Sequence, residues 1–286
     1  MHKYIGNLAV QALKLEAGTT PKPGLVDRDN NGAHKDMDYS MFLASSEALR
    51  DCFTACALAG MAGEKPETFR EIGLAGEQSM YEVTNHVNTH KGLIFSMGIL
   101  CGALGELVTC QEDFSEEDVQ DHVKKLACSL LHGSSAEKTC GQEDEHTHGK
   151  QVLKETGTKG IRGEAESGFD SVFSIGLPAL RGAIAEGNAF NEALVKTLLT
   201  LLCETEDSNV VYRGGLEGLA YVRNQAAEIL SLTDGPLCEA DIARVRAFDA
   251  VCIEKNLSPG GSADLLALTA MLYLFFEEKT RKEGEQ

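Results

Sequence analysis

Apolar residues return along this chain with a helical step almost throughout. Ile5, Leu8, Ala9, Ala12 and Leu13, followed by Glu16, lie on one stripe, and Phe42, Leu43, Ser46, Leu49, Phe53 and Ala57 form a second. Recurrence at three and four residues places such positions on one face of an α-helix. The same pattern predicts helices over 67–82, 92–109, 116–131, 171–186, 191–203, 216–230, 239–255 and 263–279. Strand-like alternation is hard to find, so the expected fold is all-α, a single multi-helix bundle over 1–286. Ser115 ahead of Glu116, Glu117 and Asp118 predicts an N-terminal cap with acids matched to the helix dipole. Gly187 and Asn188 predict a helix stop before a new cap at Asn191.

One stretch breaks the pattern. Over 133–158 Gly, Ser, Glu, Lys and His replace apolar residues and no period survives, which predicts a mobile or partly disordered loop. Its His146-Thr147-His148 has no complete metal-ligand set around it and reads as solvated histidines.

Composition adds a few bounds. At 286 residues and 43% hydrophobic content the chain can bury a substantial core. The nine cysteines are scattered, with no Cys-x-x-Cys pair and no histidine completing a zinc set around Cys52 and Cys56, so most are expected as buried free thiols. A net charge of −18 opposes broad binding of nucleic acid or an anionic membrane. A phosphate-rich small ligand is still compatible with it, given a local basic pocket and a divalent cation. The first seven residues lack a basic stretch followed by an apolar run, and no segment offers about 18 uninterrupted apolar residues. The expectation is a soluble, cytoplasmic protein.

Chemistry concentrates in five polar, glycine-containing segments between the helices, which in a bundle can converge on one pocket. The first, over 20–38, is stiffened by Pro21 and Pro23. It offers Lys22 and Arg28 for phosphate oxygens and Asp27, Asp36 and Asp38 for a hydrated Mg²⁺ or a proton. The second, Asn88-Thr89-His90-Lys91-Gly92, precedes an apolar helix, and amides at a helix N-terminus favour anions. His90 there suits a proton donor or a cap. The third, over 160–169, combines Arg162 with Glu164 and Glu166. The fourth, over 206–215, carries Asp207, Asn209, Arg213 and paired glycines. In the fifth, over 256–264, Gly260-Gly261-Ser262 lets backbone N–H groups approach a ligand, and Asp264 opens the last helix as a routine N-terminal stabiliser. No Walker pattern occurs.

Taken together and in this order, the segments resemble the motif set of the triphosphoribosyl-dephospho-CoA synthase family. Thr20-Pro21-Lys22-Pro23-Gly24-Leu25-Val26-Asp27-Arg28, Asn88-Thr89-His90-Lys91-Gly92, Arg162-Gly163-Glu164-Ala165, Glu206-Asp207-Ser208-Asn209 with Arg213-Gly214-Gly215, and Leu257-Ser258-Pro259-Gly260-Gly261-Ser262-Ala263-Asp264 carry the resemblance over nearly the whole chain. It implies an all-α enzyme that transfers the 5-triphosphoribosyl group of ATP to the 2′-hydroxyl of 3′-dephospho-CoA and releases adenine. The product would be the prosthetic-group precursor for the acyl carrier protein of a citrate lyase or malonate decarboxylase, attached by a separate transferase.

That reaction builds positive charge at ribose C1′, needs a proton for the leaving adenine and must take one from the acceptor hydroxyl, while gripping a triphosphate it never cleaves. On this reading Asp27, Asp207 and Glu164 are the candidate catalytic residues. Lys22, Arg28, Asn88, His90, Lys91, Arg162, Asn209, Arg213, Gly260, Gly261 and Ser262 are expected to bind substrate, and Asp36, Asp38 and Glu164 to hold Mg²⁺. Asp207→Asn is expected to nearly abolish turnover with little loss of folding. Two rival readings share these residues: a Mg²⁺-dependent hydrolase of N-glycosidic bonds, and a helical nucleotide-binding protein without turnover.

Overall fold

The computed structural model describes residues 1–111, 113–132 and 160–284, with side chains placed as far as residue 277. The expected loop over 133–158, with His146 and His148, lies outside the described residues. Within them the chain is helical and contains no strand. The helices are α1 (His2–Gly18), α2 (Tyr39–Ala48), α3 (Arg50–Ala62), α4 (Pro66–Val83), α5 (Lys91–Cys110), α6 (Glu116–His132), α7 (Gly160–Glu166), α8 (Leu177–Ala185), α9 (Phe190–Glu204), α10 (Ser208–Leu232), α11 (Glu239–Glu254) and α12 (Gly260–Gly284). A π-helical turn, Val172–Gly176, leads into α8. It brings Gly176 so close to α12 that an added Cβ would lie 2.2 Å from Thr269 Oγ1.

The core forms around α5, which is long and apolar enough to cross a membrane but is buried along most of its length. It packs most extensively on α3, and α3 in turn on α1. Small residues permit that approach. A Cβ at Gly60 would lie 1.9 Å from the Gly102 carbonyl oxygen, and one at Gly105 would lie 2.1 Å from that of Ala57. Both obstacles are backbone, which no rotamer change can move aside. Gly60→Ala is therefore expected to lower stability by about 2 kcal/mol despite its better helix propensity. Urea denaturation measures the shift.

Local signals in the sequence reappear as hydrogen bonds. Ser115 Oγ accepts from the Asp118 amide while Asp118 Oδ2 accepts from the Ser115 amide and hydroxyl, a reciprocal capping box. Gly187, at φ +95°, ends the helix before it. Asn191 is not the next cap, since Ala189 holds that position. Its side-chain amide instead pairs with both backbone groups of Thr20, accepting from the N–H at 3.0 Å and donating to the carbonyl at 2.7 Å. Of the thiols, Cys52, Cys56, Cys101 and Cys252 are buried, whereas Cys110, Cys128 and Cys238 are exposed, and the described cysteines are all free.

Candidate active site

The chain leaving α1 turns back on its own helix. Lys22 is buried and donates from Nζ to the Glu16 carbonyl at 2.8 Å and to the Glu16 carboxylate, so its ammonium fills the C-terminal end of α1. A cation there satisfies an exposed carbonyl and matches the helix dipole. The rest of the loop is held by two further buried acids. Asp27 Oδ2 accepts from the Lys22 amide and Oδ1 from the amides of Asp29 and Asn30. Asp249 on α11 accepts from the Gly24 amide at 2.8 Å and from Asn30 Nδ2 at 2.8 Å. Gly24, at φ +70°, lies so near Leu257 that a Cβ would meet its carbonyl oxygen at 2.1 Å. No other residue fits this turn.

Segments four and five meet at Asp207. Its Oδ1 accepts from the amides of Asn209 and Val210, capping α10, and its Oδ2 accepts from the amide (2.7 Å) and hydroxyl (3.0 Å) of Ser262 in the first turn of α12. One buried carboxylate thus joins two helix N-termini. Burial pushes the Asp207 carboxyl up, against the downward pull of its four donors. The expected loop over 206–215 is a helical turn that Asp207 starts and Gly215, at φ +65°, interrupts. Close packing at Gly260 and Gly261 completes the junction. A Cβ on Gly260 would touch Asn209 Nδ2 at 2.8 Å, and one on Gly261 would touch Asp207 Oδ2 at 3.1 Å.

Arg213 ties this junction to the first loop, donating to the Ala33 carbonyl at 3.1 Å and to Asn256 Oδ1 at 3.0 Å. Its second amino group lies 3.3 Å from His34 Nδ1, while His34 Nε2 lies 2.8 Å from Ser258 Oγ. The guanidinium has no lone pair to offer, so Nδ1 is the acceptor and Nε2 carries the proton. Burial and the Arg213 charge lower the His34 pKa to about 4, which keeps the ring neutral.

The second segment approaches through the start of α5. Asn88 Oδ1 accepts from the Lys91 amide, and Lys91 pairs with Glu77 at 3.0 Å. Gly92 faces Asp264, where a Cβ would come within 2.8 Å of Oδ2. His90 is buried, with Nδ1 2.7 Å from Ser45 Oγ. The Ser45 hydroxyl also accepts from Thr89 Oγ1 at 2.8 Å. His90 Nε2 is buried without a partner among the described residues. Burial and the charge of Lys22 lower the His90 pKa to about 3. The ring is therefore neutral, not a positively charged acid.

Third comes Gly160, packed on Ser208 beside Asp207, with a would-be Cβ 2.5 Å from Oγ. Arg162 is exposed. Glu164 accepts from the Ser171 hydroxyl at 2.6 Å and amide at 3.3 Å, and burial raises its pKa. Each polar segment thus touches another at the ends of α1, α5, α10 and α12.

Not every residue singled out in the sequence joins this group. Asp36 is exposed and 3.9 Å from His34 Nδ1, and Asp38 is an exposed N-cap of α2 that accepts from Met41. With Glu164 engaged at Ser171, the three carboxylates expected to hold Mg²⁺ are not gathered. Among the described residues no group of three or more His, Cys, Asp or Glu side chains is placed to bind a metal ion. Arg28 is exposed and lines a cleft of about 550 Å³ with Gln11, Lys14, Tyr39 and Glu47, which contains no residue of the other four segments. Lys22 is spent on Glu16. Sequence reasoning passed over Asp249 and Glu16, the latter signalled by a carboxylate on the apolar stripe of α1.

The described residues define an all-α fold in which buried polar groups join several helix ends. Residues 2–283 match the model of the CitG family, ATP:dephospho-CoA triphosphoribosyl transferase. The 2-(5''-triphosphoribosyl)-3'-dephosphocoenzyme-A synthase of Pectobacterium atrosepticum is 42% identical over 275 residues, covering 94% of this chain and 88% of the relative. A probable synthase of the same name from Vibrio cholerae serotype O1 is 40% identical over 279 residues, covering 95% and 88%. No solved structure matches. The chain belongs to the ATP:dephospho-CoA triphosphoribosyl transferase family and is a transferase.

Proposed function

We propose that this cytoplasmic chain transfers the 5-triphosphoribosyl group of ATP to the 2′-hydroxyl of 3′-dephospho-CoA with release of adenine. The product is the prosthetic-group precursor that a separate transferase attaches to the acyl carrier protein of a citrate lyase or malonate decarboxylase. The observation that carries the reading is the contact of the five segments with one another in a chain whose residues 2–283 match the family model. Buried carboxylates favour the positive charge that develops at C1′ as the glycosidic bond breaks. Arg213, Lys91 and Arg162 are assigned to the phosphates at the rim, and Asn209 with the Gly260-Gly261 turn to the ligand backbone. The described residues do not form a resident metal centre, so we assign Mg²⁺ to the triphosphate, with which it enters.

Incubation of the purified protein with ATP, Mg²⁺ and 3′-dephospho-CoA, followed by mass spectrometry and adenine chromatography, tests the assignment. A triphosphoribosyl adduct matched by free adenine, both requiring dephospho-CoA, is the expected result. Adenine without the acceptor would make the chain a hydrolase, and nucleotide binding with neither product would remove catalysis from the proposal.

A further inference from the structure

The cleft of about 550 Å³ that Arg28 lines runs between one face of α1 and one face of α2. Gln11, Lys14 and Leu15 line it from α1, at positions that with Gly18 recur every three or four residues, and Leu43, Ala44 and Glu47 line it from α2. Its lower end is the C-terminal end of α1, the helix end that Lys22 caps. There the Arg28 guanidinium lies across Gly18. A Cβ on Gly18 would come within 2.8 Å of Arg28 Nη2, 3.2 Å of its Nε and 3.3 Å of Tyr39 Oη, so only a bare backbone lets the guanidinium and the phenol meet at this point. The backbone that carries Arg28 is firmly held. Its amide donates to Thr20 Oγ1 at 3.3 Å, Thr20 is clamped by Asn191, and the buried Asp27 beside it accepts from the amides of Lys22, Asp29 and Asn30. The side chain, by contrast, makes no hydrogen bond or ion pair among the described residues. Charge in the cleft also runs against the net −18 of the chain. Its one carboxylate, Glu47, is engaged by Lys14 and Arg50, which hold its carboxyl below the usual range, and Arg28 is a further cation without a counter-charge. The cleft is thus a locally basic, apolar-walled recess on an acidic protein, of the size that small-molecule sites have.

We propose that this cleft binds the acceptor of the transfer, a nucleoside 5′-diphosphate that carries a neutral amide arm, which is the chemistry of 3′-dephospho-CoA. The inference rests on the transferase reading above. Arg28 and Tyr39 Oη hold the diphosphate at Gly18, and the arm follows α1 past Leu15, Leu43 and Ala44 towards Gln11, along about 10 Å of helix. Gln11 and the Lys14–Glu47 pair offer donors and acceptors to its amides. The triphosphate of ATP suits the cleft less well. It needs several cations or a metal ion, whereas Lys14 is committed to Glu47 and Arg28 is the unpaired cation of the lining. A diphosphate followed by an uncharged tail asks instead for one planar guanidinium and then an apolar wall. Seated in this way, the acceptor has its nucleoside beyond Gly18, at the end of α1 where the polar segments meet.

Ala44→Trp and Arg28→Gln test this by calorimetric titration with dephospho-CoA and, separately, with Mg·ATP. Ala44 and Arg28 are exposed, so an indole at 44 fills the cleft without entering the core, and both variants should melt with the wild type. Each is expected to weaken dephospho-CoA binding by at least about tenfold and to leave Mg·ATP affinity within about twofold, because a guanidinium–phosphate contact or a filled cleft is worth that much. In turnover the loss should fall on KM for dephospho-CoA and not on KM for ATP. Unchanged dephospho-CoA affinity in Ala44→Trp overturns the cleft as the acceptor's site. So does an Arg28→Gln protein whose Mg·ATP affinity falls as far as its dephospho-CoA affinity, which would give the cleft to the donor's triphosphate. Loss of both ligands together with a lowered melting temperature would assign the two residues to the fold and overturn the proposal as well. If wild-type protein binds dephospho-CoA but forms no adduct, it is the transferase reading that fails, and the response of binding to the two variants still decides whether the cleft is the site.

Discussion

Lys22→Met is expected to cost about 3–5 kcal/mol of unfolding free energy. The ammonium and the Glu16 carboxylate are both buried, with side-chain exposures of 1% and 4%. Removing the cation leaves a carboxylate enclosed by protein and an α1 carbonyl without its side-chain donor. Methionine fills similar volume, so the loss reports charge and hydrogen bonding rather than a cavity. The penalty resides in the stranded partner, and Lys22→Met combined with Glu16→Gln should recover part of it. Thermal and urea denaturation of the two single variants and the pair close the cycle. A surface phosphate ligand would behave otherwise: its loss would weaken ATP binding and leave the melting temperature within about 0.5 kcal/mol equivalent of wild type.

That contrast shows how the sequence was legible in some places and opaque in others. Helices announce themselves through periodicity, and the expected ends at 67–82, 92–109 and 116–131 lie within a residue or so of α4, α5 and α6. Basic residues in a Gly/Pro loop announce nothing about whether they face solvent or a partner. Lys22 looked like a phosphate ligand because its partner is six positions away on a stripe read as apolar, where Glu16 is the one charged residue. A carboxylate on a core-facing stripe requires a buried counter-charge, and that requirement was the available signal. The segment over 206–215 looked like a loop for a related reason. Its polar residues are a helix cap and first turn, and only the left-handed Gly215 makes the break that the two glycines suggested. Asp249 carried no local cue at all, since it holds Gly24 from 225 positions away.

Asp207→Asn is expected to lose both stability and turnover, unlike the sequence-based expectation that folding would be spared. Both carboxylate oxygens act as acceptors, from two amides on one side and from the Ser262 amide and hydroxyl on the other. An asparagine supplies one acceptor oxygen, so in either orientation its NH₂ confronts N–H groups that need an acceptor. Relief from burying a charge offsets part of this, because burial raises the Asp207 pKa. The net cost is about 2–3 kcal/mol, in the range of lost hydrogen bonds to a charged group. Loosening the first turn of α12 shifts Ser262 and the Gly260-Gly261 turn, so adduct formation should fall by at least about tenfold at saturating substrate. Equilibrium denaturation and single-turnover adduct formation read the two effects on the same sample. An Asp207→Asn protein as stable as wild type would mean that the bridge between α10 and α12 does not depend on this carboxylate.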